Sequence, residues 1–140
     1  MIRVDGLVAR YGESVAVDGL SLHVEQGRFF GLLGPNGAGK TTAIRCLSGL
    51  HVPAGGTVRV GGFDPVDQRR EVLSILGVVP QKIALYRRLS VLENLRVFGG
   101  LHGLSGKRLQ ERVDWGLELS QLTGHRKKRV EALSGGMKRR

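Results

Sequence analysis

The chain has 140 residues, of which 41% are hydrophobic, and a formal net charge of +10. This length allows one hydrophobic core, so we expect one domain or part of one. No apolar run approaches the roughly 20 residues that cross a bilayer, and the N-terminus lacks the apolar stretch of a signal peptide, which predicts a cytosolic chain. The single cysteine, Cys46, excludes an internal disulfide and is expected to be a buried packing residue.

The basic balance suits nucleic acid, an anionic membrane surface or a polyphosphate ligand, and charge alone does not choose among them. Much of the excess lies near the end of the sequence, in residues 125–129 and 138–140. Two interpretations stay open. These residues are either solvated faces whose acidic partners lie outside the 140 residues, or they act electrostatically towards phosphate.

The first third of the chain predicts strands and a loop followed by a helix. Alternating apolar residues predict strands at 2–4 and 20–24, which together suggest an antiparallel β layer. Residues 29–33 form a short continuous apolar run, which is typical of a buried parallel strand. Next, Ile44, Leu47 and Leu50 have helical spacing, and the glycine, histidine and proline within 49–53 are expected to end that helix.

After one further strand, the elements predicted for the rest of the chain are helices. Residues 57–60 predict a strand with a glycine turn at 61–62, and residues 67–76 predict a helix ending at Gly77. Ser90 and Glu93 form a capping box that opens a helix running to the glycine pair 99–100, with an apolar face of Val91, Leu95 and Phe98. A further helix is expected from Ser105, with an apolar face of Leu109, Val113 and Leu117. This shift predicts two subdomains, 1–84 and 85–140, without a low-complexity linker.

Residues 34–41, Gly-Pro-Asn-Gly-Ala-Gly-Lys-Thr, match the full spacing of a phosphate-binding loop (P-loop) between a predicted strand and a helix. The glycines allow backbone N–H groups to turn towards phosphate oxygens, and the helix start adds its positive dipole end. Lys40 should reach the β- and γ-phosphates, the Thr41 hydroxyl should ligate Mg²⁺, and Thr42 should lie towards the α-phosphate. The flanking elements argue against a chance glycine-rich turn. The predicted ATP-binding residues are Gly34, Pro35, Asn36, Gly37, Ala38, Gly39, Lys40, Thr41 and Thr42.

Three further motifs make the sequence similar to one family. Leu133-Ser134-Gly135-Gly136-Met137 resembles the signature motif of ATP-binding cassette (ABC) proteins, Pro80-Gln81 resembles their Q-loop, and Tyr11 matches the aromatic residue of their A-loop. With the P-loop, four motifs follow the family's order and spacing along the whole chain. The resemblance implies an α/β fold: a P-loop NTPase (ABC ATPase) core with an N-terminal antiparallel β layer and a helical subdomain.

The resemblance also implies roles for individual residues. Tyr11 would stack on adenine, and Gln81 would link Mg²⁺ or the attacking water to a transmembrane partner. Together with the P-loop, this gives Lys40 and Gln81 as the catalytic candidates, and Thr41 and Gln81 as the candidates for binding the metal. Without the family, Tyr11 is an ordinary half-buried surface residue and Gln81 a loop residue.

The residue types of the signature motif also predict an anion-binding site. Ser134 can cap a helix whose first positions are Gly135 and Gly136, so that its hydroxyl and bare N–H groups form a second anion site. In the family, this site closes on the γ-phosphate held by the P-loop of a second cassette, in a head-to-tail dimer. A plain capped loop is the alternative.

The residues after these glycines indicate a subgroup. Met137 stands where many members carry glutamine, so an amide contact there is lost, and the following Lys-Arg-Arg resembles bacterial exporter cassettes of the drug, polysaccharide and cytochrome-maturation type. The resemblance thus implies an ATP-binding subunit that couples ATP binding and hydrolysis to export, peripheral on the inner face of the cell membrane. Its partners would be a transmembrane permease subunit and a second cassette, with no nucleic acid.

The family places an apolar strand ending in aspartate and glutamate after the signature helix, followed by a switch histidine, and the sequence ends at Arg140 before them. We therefore expect the C-terminal half of the core to be missing, and this polypeptide alone to lack a general base, to bind nucleotide weakly and to aggregate. The four histidines, His23, His51, His102 and His125, are expected at the surface. The alternatives are an inactive nucleotide-binding gene fragment and a non-transport ABC ATPase that acts on nucleic acid or the ribosome.

Overall fold

The computed structural model describes all 140 residues, which form two compact units, Met1–Val78 and Val79–Arg140. The N-terminal unit contains β1 (Ile2–Tyr11), β2 (Ser14–Val24), α1 (Lys40–Leu47), β3 (Gly55–Val60) and α2 (Arg69–Ile75). The C-terminal unit contains α3 (Val91–Leu101), α4 (Gly106–Leu119) and α5 (Gly135–Arg139), with 3₁₀ turns at Thr123–His125 and Val130–Ala132. None of the helices is both long and apolar enough to cross a bilayer.

The predicted antiparallel layer is confirmed as a three-stranded sheet. Its order is β2-β1-β3, with β1 in the centre and antiparallel to both neighbours, so that Val4 lies opposite Leu22 on one side and Val58 on the other. Both outer strands have register shifts, which break strict alternation along β1. The turn after β3 is also as predicted, because Val60 and Phe63 exchange backbone hydrogen bonds of 2.9 and 3.0 Å.

One side of this sheet and helices α1 and α2 share the core of the N-terminal unit. Cys46 is fully buried there, as predicted. The apolar face of α1 was only partly predicted, since Leu47 is buried but Ile44 is exposed and Leu50 lies beyond the helix. The other buried members of this core are Val4, Leu7, Ala9, Val17, Ala43, Val58, Val60 and Val72.

The predicted buried parallel strand at residues 29–33 is wrong for this structure. The segment forms no strand, Phe29 and Leu33 are almost fully exposed, and Phe30 is half exposed. A parallel strand is buried only when neighbouring strands pair with it, and the sheet of three strands makes no pairing with this segment. The apolar run is therefore an exposed connection that leads into the glycine-rich loop.

In the C-terminal unit, α3 and α4 form an antiparallel helical hairpin in which Gly99 lies against Leu109 and Gly116 against Leu95. The Ser90 capping box is confirmed, with Glu93 N donating to Ser90 Oγ and Ser90 N donating to the Glu93 carboxylate. The glycine pair does not stop α3, which continues to Leu101. The buried residues of this unit are Val91, Val113, Leu117, Leu122, Val130 and Leu133.

Candidate functional site

The glycine-rich loop of residues 34–39 is wrapped around the side chain of Lys40, the first residue of α1. The Lys40 amine donates hydrogen bonds of 2.6 Å to the carbonyl oxygens of Gly34 and of Pro35. An ammonium group has three N–H donors, so one remains for a ligand. The lysine thus closes the loop into a ring and keeps its positive charge at the head of the helix.

Position 39, the N-cap of α1, can hold only a glycine without strain. Its φ angle is +81°, in the left-handed region, and a Cβ atom built on it would collide with the carbonyl oxygen of Ala16 and lie 2.9 Å from Val17 Cγ2. A side chain at this position would therefore push the loop away from β2. Gly37 also has a left-handed φ of +86°, but a Cβ there would meet no atom within 4 Å.

The start of α1 offers free backbone donors. No carbonyl accepts a hydrogen bond from the N–H groups of Lys40, Thr41 or Thr42, whereas the Ala43 N–H closes the first helical bond, to Gly39 at 2.8 Å. Three adjacent unpaired N–H groups, the helix dipole and the Lys40 amine present positive potential at one point. Such an arrangement fits a phosphate group, because phosphate oxygens accept several hydrogen bonds at once.

A cavity of about 380 Å³ lies between this loop and β2. Its walls come from Val15 to Asp18 on β2, from the exposed apolar connection at Leu32 and Leu33, and from the loop itself at residues 37–40. Asp18 carries the one carboxylate in the lining. The cavity is therefore mainly apolar on the strand side and positive on the loop side.

Tyr11 lies at the end of β1, beside α1. Its hydroxyl accepts a 3.2 Å hydrogen bond from Arg45 Nη1, and this bond lowers the pKa of the tyrosine below its ordinary value. The imidazole of His51 packs on the tyrosine ring, with ring centroids 4.6 Å apart and planes inclined by 43°. Tyr11 remains 46% exposed, so the ring stays accessible to a ligand.

Arg45 and His51 are site neighbours that sequence reasoning missed. Arg45 is 34 residues from Tyr11 in sequence, so no local pattern indicates their contact. His51 is not fully at the surface as expected, because it is partly buried and its Nε2 atom is buried without a hydrogen-bond partner. His23, His102 and His125 are exposed, as predicted.

The remaining candidate residues belong to the C-terminal unit. Ser134 is the N-cap of α5, and its hydroxyl accepts a 3.2 Å hydrogen bond from Met137 N, as the capping prediction required. Gly135 and Gly136 are exposed in the first turn of this helix. Gln81 is exposed in an irregular segment before α3. Each unit thus carries part of the predicted motif set.

Comparison with known proteins decides the family. The model of the family described as "ABC transporter" matches residues 17–140 of the chain. The chain belongs to the ABC transporter family. Members of this family bind nucleotide, and the P-loop geometry described above lies within the matched residues.

Among curated ABC relatives, the chain is 50% identical over 131 residues to the Nod factor export ATP-binding protein I of Cupriavidus metallidurans, covering 93% of this chain and 43% of that protein. It is 45% identical to the daunorubicin resistance ATP-binding protein DrrA3 of Streptomyces coeruleorubidus, covering 99% of this chain and 44% of that protein. It is 40% identical to the linearmycin resistance ATP-binding protein LnrL of Bacillus subtilis, covering 100% of this chain and 45% of that protein. The chain thus spans less than half the length of these relatives.

Solved ABC structures share the fold. An ATP-binding subunit of an ABC transporter superposes with a TM-score of 0.86 at 27% identity, covering 99% of this chain and 57% of that one. A bacterial ABC transporter cassette solved as a dimer gives a TM-score of 0.81 at 25% identity, covering 99% and 65%. These likenesses confirm the predicted fold class, an ABC ATPase P-loop core with an antiparallel β layer and helices.

Proposed function

We propose that this chain is part of the ATP-binding subunit of an ABC exporter, and that its N-terminal unit holds the phosphate chain of ATP. The observation that carries the proposal is the Lys40 amine, fixed by the Gly34 and Pro35 carbonyls beside three unpaired N–H groups at the head of α1. A neutral ligand would leave this concentration of donors unused, whereas a polyphosphate engages all of them.

Within this proposal, each residue of the loop has a distinct task. Lys40 uses its third N–H to neutralise the β- and γ-phosphates, and the N–H groups of residues 40–42 hold the oxygens that face the helix. Thr41 is exposed, and its hydroxyl would hold Mg²⁺, which would supply charge neutralisation at the phosphate chain. Tyr11 offers its exposed ring to adenine, with His51 supporting it from one side.

The C-terminal unit completes the site in an assembly. By the family resemblance, Gln81 would link the nucleotide site to a permease, and Ser134 with Gly135 and Gly136 would meet the γ-phosphate bound by a second cassette. The free hydroxyl lone pair of Ser134 and the exposed N–H groups of the two glycines support this role. The proposed oligomer is a head-to-tail pair of cassettes.

The names of the relatives support export as the proposed direction of transport. The three curated proteins described above are named for Nod factor export, daunorubicin resistance and linearmycin resistance, which favours export over uptake. We accordingly place the working protein at the inner face of the cell membrane, bound to a transmembrane permease, with ATP hydrolysis as the energy source.

The experiment that tests nucleotide binding is calorimetric titration of the 140-residue chain with Mg-ATP, beside Lys40→Ala and a control, Lys107→Ala. Lys107 is an exposed lysine near the start of α4, in the C-terminal unit, and it belongs to none of the predicted nucleotide-binding motifs. Because a hydrogen bond to a charged group contributes about 1.5 to 3 kcal/mol, Lys40→Ala should weaken ATP binding by about 10- to 150-fold. The Lys107→Ala affinity should equal that of the parent. Equal affinities in all three proteins would exclude the loop as the phosphate site.

A further inference from the structure

The net charge of the chain lies almost entirely in one unit. Residues 1–78 contain 8 Lys and Arg against 7 Asp and Glu, a net charge of +1, whereas residues 79–140 contain 14 against 5, a net charge of +9. The phosphate-binding loop belongs to the nearly neutral unit. ATP binding at that loop therefore does not account for the basic character of the protein.

Six of these cations come together through backbone pairing of two segments. Residues 126–131 run antiparallel to residues 87–92, with Glu131 N donating to Arg87 O at 2.9 Å and Val91 N to Lys128 O at 3.1 Å. Ser90 and Arg129 form a β-bridge between the same segments. We call the resulting set the basic cluster: Arg87, Arg88, Arg126, Lys127, Lys128 and Arg129.

The basic cluster is not neutralised within the chain. Five of its members are exposed and Arg126 is partly exposed, and the one ion pair among them is the exposed contact of Arg129 with Glu131 at 3.9 Å. Glu93, which also lies near Arg129, is engaged by Ser90 in the capping box. Like charges held side by side repel, so a negatively charged partner outside the chain would relieve this repulsion.

Apolar side chains adjoin the cations. Ile83 and Tyr86 are 46% and 51% exposed in the segment immediately before Arg87. Buried Asn94 fixes this segment, because its amide accepts from Tyr86 N at 2.9 Å and donates to the carbonyls of Tyr86 and Ser90 at 3.0 and 2.9 Å. The structure therefore holds exposed cations and exposed apolar groups together on an ordered segment.

We propose that the basic cluster binds the anionic headgroups of a lipid membrane surface. Anionic lipids attract clusters of four to eight Lys and Arg, and tyrosine and aliphatic side chains beside such a cluster suit the boundary between headgroups and acyl chains. Nucleic acid would be favoured instead by an aromatic ring with two free faces for base stacking, but the Tyr86 ring packs on Phe98 at a centroid distance of 6.0 Å. The inference is independent of the nucleotide site in the other unit.

Flotation of the 140-residue chain with lipid vesicles tests this proposal, since flotation separates bound protein from aggregates. The vesicles contain either phosphatidylcholine alone or phosphatidylcholine with phosphatidylserine, at about 0.15 M salt. The test variant Arg88→Gln/Lys127→Gln removes one charge from each paired segment. The matched control Lys107→Gln/Arg108→Gln removes the same two residue types from the exposed start of α4, at the opposite end of α3.

We expect binding to the anionic vesicles alone, and a loss of about 25-fold in the test variant, because each cation at an anionic surface contributes about fivefold. The control should retain nearly full binding, and the charge-preserving variant Arg88→Lys/Lys127→Arg should behave as the parent does. Circular dichroism confirms that each variant is folded.

Three results would overturn the proposal. Equal losses in the test and control variants would show a general effect of net charge rather than a defined surface. Flotation with neutral vesicles would show hydrophobic adsorption. Tighter binding to a 20-nucleotide RNA than to anionic vesicles at the same salt would assign the basic cluster to nucleic acid.

Discussion

Replacing Gly39 by alanine adds one methyl group at the point where the phosphate-binding loop passes β2. Alanine in the left-handed region costs about 1 to 2 kcal/mol. The new methyl would also collide with the Ala16 carbonyl and lie 2.9 Å from Val17 Cγ2, and overpacking of this kind costs a further 1 to 3 kcal/mol, roughly. The free energy of unfolding of the N-terminal unit should therefore fall by about 2 to 5 kcal/mol.

Gly37→Ala is the matched control for this change. Gly37 has a similar φ of +86°, but its new methyl would meet no atom within 4 Å, so only the backbone strain of about 1 to 2 kcal/mol applies. Urea unfolding followed by circular dichroism of the sheet compares the two variants, and titration with Mg-ATP shows whether the loop keeps its shape. If both variants unfold at the same urea concentration, the close approach of the loop to β2 is not a structural constraint and the reasoning fails.

Other predictions concern local contacts. The pKa of Glu93 lies below its ordinary value of 4.5, chiefly because the Ser90 hydroxyl donates to the carboxylate and secondly because the Ser90 N–H does. The capping box therefore stabilises the chain fully above pH 4.5, and this stabilisation is lost as the pH falls through the lowered pKa. The urea midpoint of Trp115 fluorescence should fall with pH in this window, and Glu93→Gln should remove the change. Asn94→Ala leaves the Tyr86 N–H without an acceptor, whereas the carbonyls of Tyr86 and Ser90 keep the backbone N–H groups of Leu89 and residue 94 as donors. The variant should lower the unfolding free energy by about 1 to 3 kcal/mol in the same assay, and unchanged stability would refute the role of Asn94. Burial of Cys46 raises the pKa of its thiol, so a thiol reagent should react far more slowly with the native chain than with the chain in urea, and equal rates would contradict its burial.

Local signals in the sequence predicted much of this structure correctly. The capping box at Ser90 and Glu93, the turn from Val60 to Phe63 and the start of α1 at Lys40 each depend on residues within four positions of one another. Their hydrogen bonds form within that short range, so the residue types alone determine them. The fold class and the family were predictable for another reason, since four motifs stand in a fixed order.

The errors and omissions come from contacts between distant parts of the chain. Residues 29–33 have the composition of a buried strand, but a strand needs partners, and the apolar run carries no information about them. The contact of Arg45 with Tyr11 is invisible for the same reason. The sequence indicates only part of the basic cluster, because the run of basic residues at 126–129 is evident in it but the pairing of this run with the segment of Arg87 and Arg88 is not.

The lysine at the head of α1 has a consequence for the energetics of ligand capture. A free lysine side chain samples many rotamers, and immobilising it removes up to about 2 kcal/mol of conformational entropy. Lys40 is already immobilised by two carbonyl oxygens, so that loss accompanies folding rather than the arrival of the ligand. A phosphate group therefore meets a preorganised receptor, and more of its interaction energy appears as affinity.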